Sequence, residues 1–482
     1  MNDILKLQPE RVWYYFNEIC KIPRPSKKEE KIAAWLVEWG KSKKLETIQD
    51  KAGNVMIRKP ATKGKEKNKT VVLQSHIDMV CEKNASTQHD FDKDAIKPVV
   101  EGGWVKALGT TLGADDGIGM AAQLAVLESD ELSHGPVECL FTVDEETGLT
   151  GAFALQPEFV KGRILLNLDS EDEGQLFIGC AGGKDTVITF SYKKDSVPAN
   201  MIPYKISVTG LKGGHSGDDI NKGLGNAVKL MNRFLLMATN KYGIRISKVD
   251  GGNLRNAIAR EAFAILMVPS QNENSLIDYA SSYHDMIKNE LNITEPDLKF
   301  VIESAGKPAY VIDSDTQFRL LNSMYACPHG VIAMTADMPG LVETSTNLAS
   351  VKTENDRIII QTSQRSSVAS SKDDVAQMVA SLFKLAGAEV KHGEGYPGWK
   401  PNMNSEILSV MKASYKKLFK KEPLVLAIHA GLECGVIGEK YPGMDMISFG
   451  PTLRGVHSPD ERINIESVDL FWKLLVEVLE TL

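Results

Sequence analysis

The chain has 482 residues, 43% hydrophobic and 25% charged, a balance that excludes collagen-like, coiled-coil and disordered classes. Its 56 basic and 63 acidic residues leave a net charge of −7, so no general nucleic-acid binding is expected, because phosphate neutralisation needs a basic face. The length predicts two or three domains.

The opening residues show no basic n-region followed by an apolar h-region, and no stretch approaches the roughly 18 uncharged apolar residues of a membrane span. Six cysteines (Cys20, Cys81, Cys139, Cys180, Cys327, Cys434) lie scattered without CxxC spacing. They read as reduced thiols, and the expectation is a cytoplasmic protein without a membrane partner.

Along the first part of the chain, helix and strand signals alternate. Ser26-Lys-Lys-Glu29 has the form of a capping box opening an amphipathic run through Trp39. A β-branched run, 71–74, leads into Ser75-His76-Ile77-Asp78. Glycine-rich 113–119 precedes a buried helix at 120–127. The apolar strands 137–143 and 164–168 run straight into Asp144-Glu145-Glu146 and Asp169. This pattern predicts an α/β sheet with helices on both faces, whose ligands bind at the carboxyl ends of the strands.

From about 184 to 391 the order changes. Strand 205–208, helix 221–237, strands 244–248 and 262–268, helix 275–291 and strand 300–303 follow the ferredoxin-like β-α-β-β-α-β order. A second, less clean copy follows: helix 316–325, strands 346–351 and 357–364, helix 372–385. The tail returns to the first style with helix 405–419, strand 424–428, a Gly/Pro-rich segment to Pro459 and a closing helix from Ser467. The expected architecture is one α/β domain with a central mixed sheet, residues 1–184 and 392–482, interrupted by an inserted α+β domain of two related halves, 185–391.

Five hard or borderline ligands fall at strand ends: His76, Asp115, Glu146, Asp169 and His457. A mixed imidazole/carboxylate set suits Zn, Mn or Co; Mg would prefer oxygen alone. Two ions need a shared ligand, and Asp115, flanked by glycines in Gly113-Ala114-Asp115-Asp116-Gly117, is well placed to bridge. Asp78, two residues beyond His76 on an extended segment, points the same way and can hold the imidazole tautomer. Glu145 and Glu146, if extended, point to opposite sides, one to a metal and the other to substrate or water. Singly, each is an ordinary hydrogen-bonded histidine or solvated charge; it is their coincidence at strand ends that signals chemistry.

The segments SHIDMV, GADDGIGMA, DEETGLTGA, LNLDSEDEG, GGHSGDDI, HAGLECG and GPTLRGVHSPDE together resemble the di-zinc aminoacylase/carboxypeptidase clan of metallopeptidases, and within it the Xaa-His dipeptidase (carnosinase-like) branch. The resemblance covers nearly the whole chain. It implies that His76, Asp115 and Asp169 bind one zinc and Asp115, Glu146 and His457 another, with Mn or Co as substitutes. It implies Glu145 as general base, Asp78 as orienting carboxylate, a cis bond between Asp115 and Asp116, and a homodimer. The inserted domain would be a lid, with His215 reaching the metals and Asn256, Arg365 and Gly431 binding the substrate's carboxylate end. A guanidinium fork suits that role chemically.

The implied reaction is hydrolysis of dipeptides with free termini, Xaa-His among them. A less selective dipeptidase or an N-acyl-amino-acid amidohydrolase remains the alternative. Outside the class, Gly117-Ile118-Gly119-Met120-Ala121-Ala122 fits the form GxGxxA. Asp115 and Asp116 immediately before it would repel a pyrophosphate, which argues against dinucleotide binding.

Overall fold

The computed structural model describes residues 3–482. They divide into two compact units: 3–180 with 399–427 and 432–482, and 181–398 with 428–431.

The first unit is built on an eight-stranded mixed sheet in the order Glu46–Gln49, Val55–Lys59, Val137–Thr142, Val71–His76, Ile164–Asn167, Asp445–Ser448, Gln175–Cys180, Leu424–Ile428. Its middle is parallel: Val71–His76 pairs with Val137–Thr142 on one side and Ile164–Asn167 on the other. Every residue of these three strands is buried. That is why their apolar residues cluster rather than alternate strictly with polar ones. Their carboxyl ends lie side by side and deliver His76, Asp144 and Leu168, so the three turns that follow emerge at one edge. The helix Ala114–Glu128 is buried along nearly its whole length, as its small and aliphatic residues require.

Three local expectations change. The helix after Ser26 begins at Glu30, and the capping box does not form: the Ser26 hydroxyl donates to Asp78 Oδ2 and Glu29 accepts from the Lys27 and Asp144 N–H groups. Glu145 and Glu146 are not extended. They open the short helix Glu145–Gly148 behind Asp144 at φ 51, so they are separated by about 100° of helical rotation rather than by a pleat. The Gly/Pro-rich tail contains a helix, Glu433–Lys440, and the strand Asp445–Ser448.

The second unit carries a nine-stranded sheet. Its main path runs Lys299–Ser304, Met201–Thr209, Ala262–Pro269, Arg245–Gly251, Val342–Glu354, Arg357–Ser366, Gly182–Ser191, Glu389–His392. Within each half the spatial order is fourth, first, third, second strand, and the halves meet through their second strands, where Gly251 pairs with Val351. The long first helix of the unit starts at Ala227, later than its periodicity suggests, because the Asn226 side chain accepts from the Val228 and Lys229 N–H groups and caps it there.

Candidate metal centre

The turn after Val71–His76 holds His76 almost wholly buried, with Nδ1 3.2 Å from Asp78 Oδ1 and Nε2 3.0 Å from Asp115 Oδ1 and 3.5 Å from Asp169 Oδ1. Asp115 reaches the other way as well: its Oδ2 lies 3.1 Å from His457 Nε2, which is 3.0 Å from Glu146 Oε2. Two groups result, His76/Asp115/Asp169 and Asp115/Glu146/His457. Within each, one ligand atom per residue falls within 4.8 Å of the others. Asp115 belongs to both. Glu145 offers an oxygen within the same limit of His76 and Glu146.

Electrostatics show what this crowding costs. Burial, with the charge of Asp115 beside it, pushes the Asp169 carboxyl well above the usual range. Asp115 stays well below it despite burial, through the imidazoles of His457 and His76. Hydrogen bonding to the Asp115 and Glu146 carboxylates pushes His457 up to about 11. For Asp78, burial is outweighed by His76, the Ser26 hydroxyl and the Glu145 N–H, which hold its carboxyl down at about 2.

A divalent cation in each group relieves the carboxylate repulsion that these shifts record. Glu146 Oε1 is buried with no hydrogen-bond partner, an orphan acceptor that a cation would satisfy. The imidazole and carboxylate donors fit Zn, Mn or Co. On geometry and donor chemistry, the residues fit a pair of divalent ions.

The turns are held from behind. Asp78 Oδ1 and Oδ2 accept the N–H groups of Glu145 and Glu146 at 3.0 and 3.2 Å. Arg24, itself buried, donates to the carbonyls of Ile77, Asp78 and Gly113. The Asp115–Asp116 peptide bond is cis. Glu433, fully buried, accepts from Gln74 Nε2 and Thr142 Oγ1 with one oxygen and leaves the other without a partner. Neither Arg24 nor Glu433 was recognisable from the sequence. An arginine between prolines and a glutamate opening a short helix carry no local sign of these contacts, and their partners lie far along the chain.

A family model described as Peptidase family M20/M25/M40 matches residues 72–481. The chain belongs to this peptidase family. It is 46% identical over 483 residues to the cytosol non-specific dipeptidase of Escherichia coli (strain K12), across 100% of this chain and 99% of that one. The crystal structure of aminoacylhistidine dipeptidase from Vibrio alginolyticus superposes with a TM-score of 0.94 at 46% identity, over 99% of this chain and 98% of that one. Aminopeptidase PepT from Bacillus cereus ATCC 10987, 18% identical with a TM-score of 0.57 over 98% of both chains, shares the fold alone.

The second unit of this M20 peptidase gathers another set of polar groups. Arg365, on the strand Arg357–Ser366, is only 6% exposed. It directs Nε to Ser216 Oγ at 3.3 Å, one terminal nitrogen to Tyr396 Oη at 3.0 Å, and the other to His215 Nε2 at 3.4 Å. None of the three partners is a carboxylate, and among the described residues no ion pair to Arg365 is formed. Its charge helps hold the Asp218 carboxyl below the usual range, but no carboxylate occupies its fork, and a buried guanidinium with an open fork suits a carboxylate ligand. His215 lies in a two-residue strand paired with Ala257–Ile258. Asn256 joins this group through its backbone, its carbonyl accepting from Ser216 N–H at 2.8 Å, while its side chain is exposed. A Cβ at Gly431 would come within 2.8 Å of the Tyr396 ring, so only glycine allows that approach. Tyr396 is a member that sequence reading missed.

Proposed function

We propose that this M20 peptidase hydrolyses dipeptides at a two-metal centre. The observation that carries the reading is that two ligand groups share Asp115 while Glu145 stands beside both His76 and Glu146. His76, Asp115 and Asp169 would hold one ion and Asp115, Glu146 and His457 the other, zinc being our assignment, with Mn or Co as substitutes. When bound, such ions acidify water and polarise the scissile carbonyl.

The residues of the chain supply the rest. Glu145 takes a proton from the attacking water and passes it to the departing amine, a two-way role suited to a carboxyl kept out of bulk solvent. Burial first, with Asp169, Glu433 and Glu146 nearby, pushes its pKa well above the usual range. Asp78 holds the His76 imidazole and, through two N–H groups, the turn bearing Glu145 and Glu146. We assign the second unit the role of lid. His215 stabilises the developing oxyanion, a contribution of about 3–4 kcal/mol for such donors. Arg365, Asn256 and Gly431 receive the substrate's C-terminal end. Requiring a free carboxylate fixes the scissile bond as the one before the C-terminal residue.

The two relatives of equal identity differ in name, one a non-specific dipeptidase and one an aminoacylhistidine dipeptidase. Histidine preference is therefore the quantity to measure. After EDTA treatment, β-Ala-His, Gly-His, Leu-Gly and N-acetylated controls are assayed with Zn, Mn and Co restored. Metal-dependent cleavage of free dipeptides is expected. Cleavage of N-acetylated amino acids in preference would replace this reading with the amidohydrolase alternative. A cytosolic location, supported by the name of the E. coli relative, and a homodimer, supported by the sequence resemblance, complete the proposal; light scattering tests the latter.

A further inference from the structure

The turn that presents Asp115 has no cap of its own. The residue before the helix Ala114–Glu128 is Gly113, at φ 70, with no side chain to accept from the first N–H groups. Its four consecutive donors are nevertheless satisfied. Glu461 Oε2 accepts from Leu112 and Gly113 N–H at 2.7 and 3.0 Å, and Oε1 accepts from Ala114 and Asp115 N–H at 2.7 and 3.4 Å.

Helix starts leave such donors orphaned, and successive N–H groups around a left-handed residue form an anion-binding nest. Here the occupant is a carboxylate of the same chain, only 2% exposed. It comes from four residues beyond His457, in a segment closed by the Glu461 N–H to Ser458 carbonyl bond. The opposite face of the turn is held by Arg24, which donates to the Gly113 carbonyl.

We propose that Glu461 is a positioning residue. By filling the nest with both oxygens, it fixes the shared carboxylate Asp115 relative to His457, two groups that side-chain flexibility alone would not hold in register. Only a carboxylate can do this. Glutamine at 461 is isosteric but turns one acceptor into a donor, which then faces two N–H groups. Aspartate keeps both acceptors on a shorter arm.

This inference rests on the two-metal reading, and the experiment separates the two. Metal-free wild type, Glu461→Gln and Glu461→Asp are titrated with Zn²⁺ against a chromophoric chelator. Amide exchange at 112–115 is followed without metal, and kcat and KM are measured after reloading. Wild type failing to take up two equivalents refutes the metal centre itself. With two bound, Glu461→Gln is expected to weaken the tighter-to-looser pair by about 10–100-fold overall, the usual size of an outer-layer effect. It should also speed exchange at 112–115 and lower kcat at least tenfold with KM within threefold, while Glu461→Asp recovers part of each loss. Faster exchange with wild-type metal affinity and kcat would reduce Glu461 to a helix cap and overturn the proposal. Should Glu461→Gln not fold, Glu461→Asp is read alone: exchange at 112–115 faster than in wild type, with wild-type metal affinity and kcat, overturns the proposal equally.

Discussion

Replacing Arg365 by alanine tests the substrate reading most directly, because its cost can be worked from the geometry. The guanidinium is 6% exposed, and its contacts run to a serine, a tyrosine and a histidine at 3.0–3.4 Å. An incoming carboxylate would exchange long contacts to a hydroxyl, a phenol and an imidazole for charge-assisted ones, each worth about 1.5–3 kcal/mol. Discounting the contacts given up, a two-pronged interaction is left with about 3 kcal/mol, or on the order of 150-fold. Because the carboxylate does not change during reaction, the loss should fall on KM.

The assay compares kcat/KM for a dipeptide and its C-terminal amide in wild type, Arg365→Ala and Arg365→Lys. Wild type should prefer the acid by about 100-fold, alanine by less than about fivefold, and lysine by an intermediate amount, since a point charge cannot reproduce the fork. A preference for the acid that survives intact in Arg365→Ala would show that the carboxylate is recognised elsewhere.

Further outcomes follow from other residues. Glu145→Gln should keep both metal equivalents while kcat falls by about 10²–10⁴-fold; retained turnover with bound metal removes Glu145 from the base role. Gly431→Ala places a Cβ 2.8 Å from the Tyr396 ring, so KM should rise several-fold with kcat little changed, and an unaltered KM contradicts the packing argument. Burial raises the Glu433 carboxyl from its ordinary 4.5 to about 7. A raised carboxyl binds its proton more tightly folded than unfolded, so its contribution to stability is present below about pH 4.5 and is lost as pH rises to about 7. Glu433→Gln keeps an acceptor for Gln74 and Thr142 without the charge, and metal-free Tm should therefore match wild type near pH 4.5 and exceed it at pH 8. The upper bound is about 3 kcal/mol, and equal Tm values at both pH values would refute the assignment.

The parts of the fold legible in the sequence were those where one local signal dominates. The runs 71–74, 137–143 and 164–168 are mostly apolar because both faces of the sheet are covered, and each leads into an acidic or histidine turn. The ligand candidates could be found because metal chemistry requires unusual residue types at strand ends. What stayed hidden depends on partners distant in the chain. Ser26 and Glu29 have the local form of a capping box, yet Asp78 and the Asp144 N–H compete for them and win. Glu461 sits in the motif that carries His457, but its four backbone partners lie more than 340 positions earlier. Tyr396 matters only because Gly431 and Arg365 approach it, and neither neighbour leaves a pattern around position 396.

The mirrored sheet of the second unit carries a consequence for biosynthesis. The strand Gly182–Ser191 is flanked by Arg357–Ser366 and Glu389–His392, both translated only after the whole intervening half has emerged. That earlier half contains all four of its own strands and can close first. Until its neighbours arrive, the waiting segment exposes unsatisfied N–H and carbonyl rows to other nascent chains. Ribosome-stalled fragments ending before residue 357 should therefore be the ones that recruit chaperones most strongly.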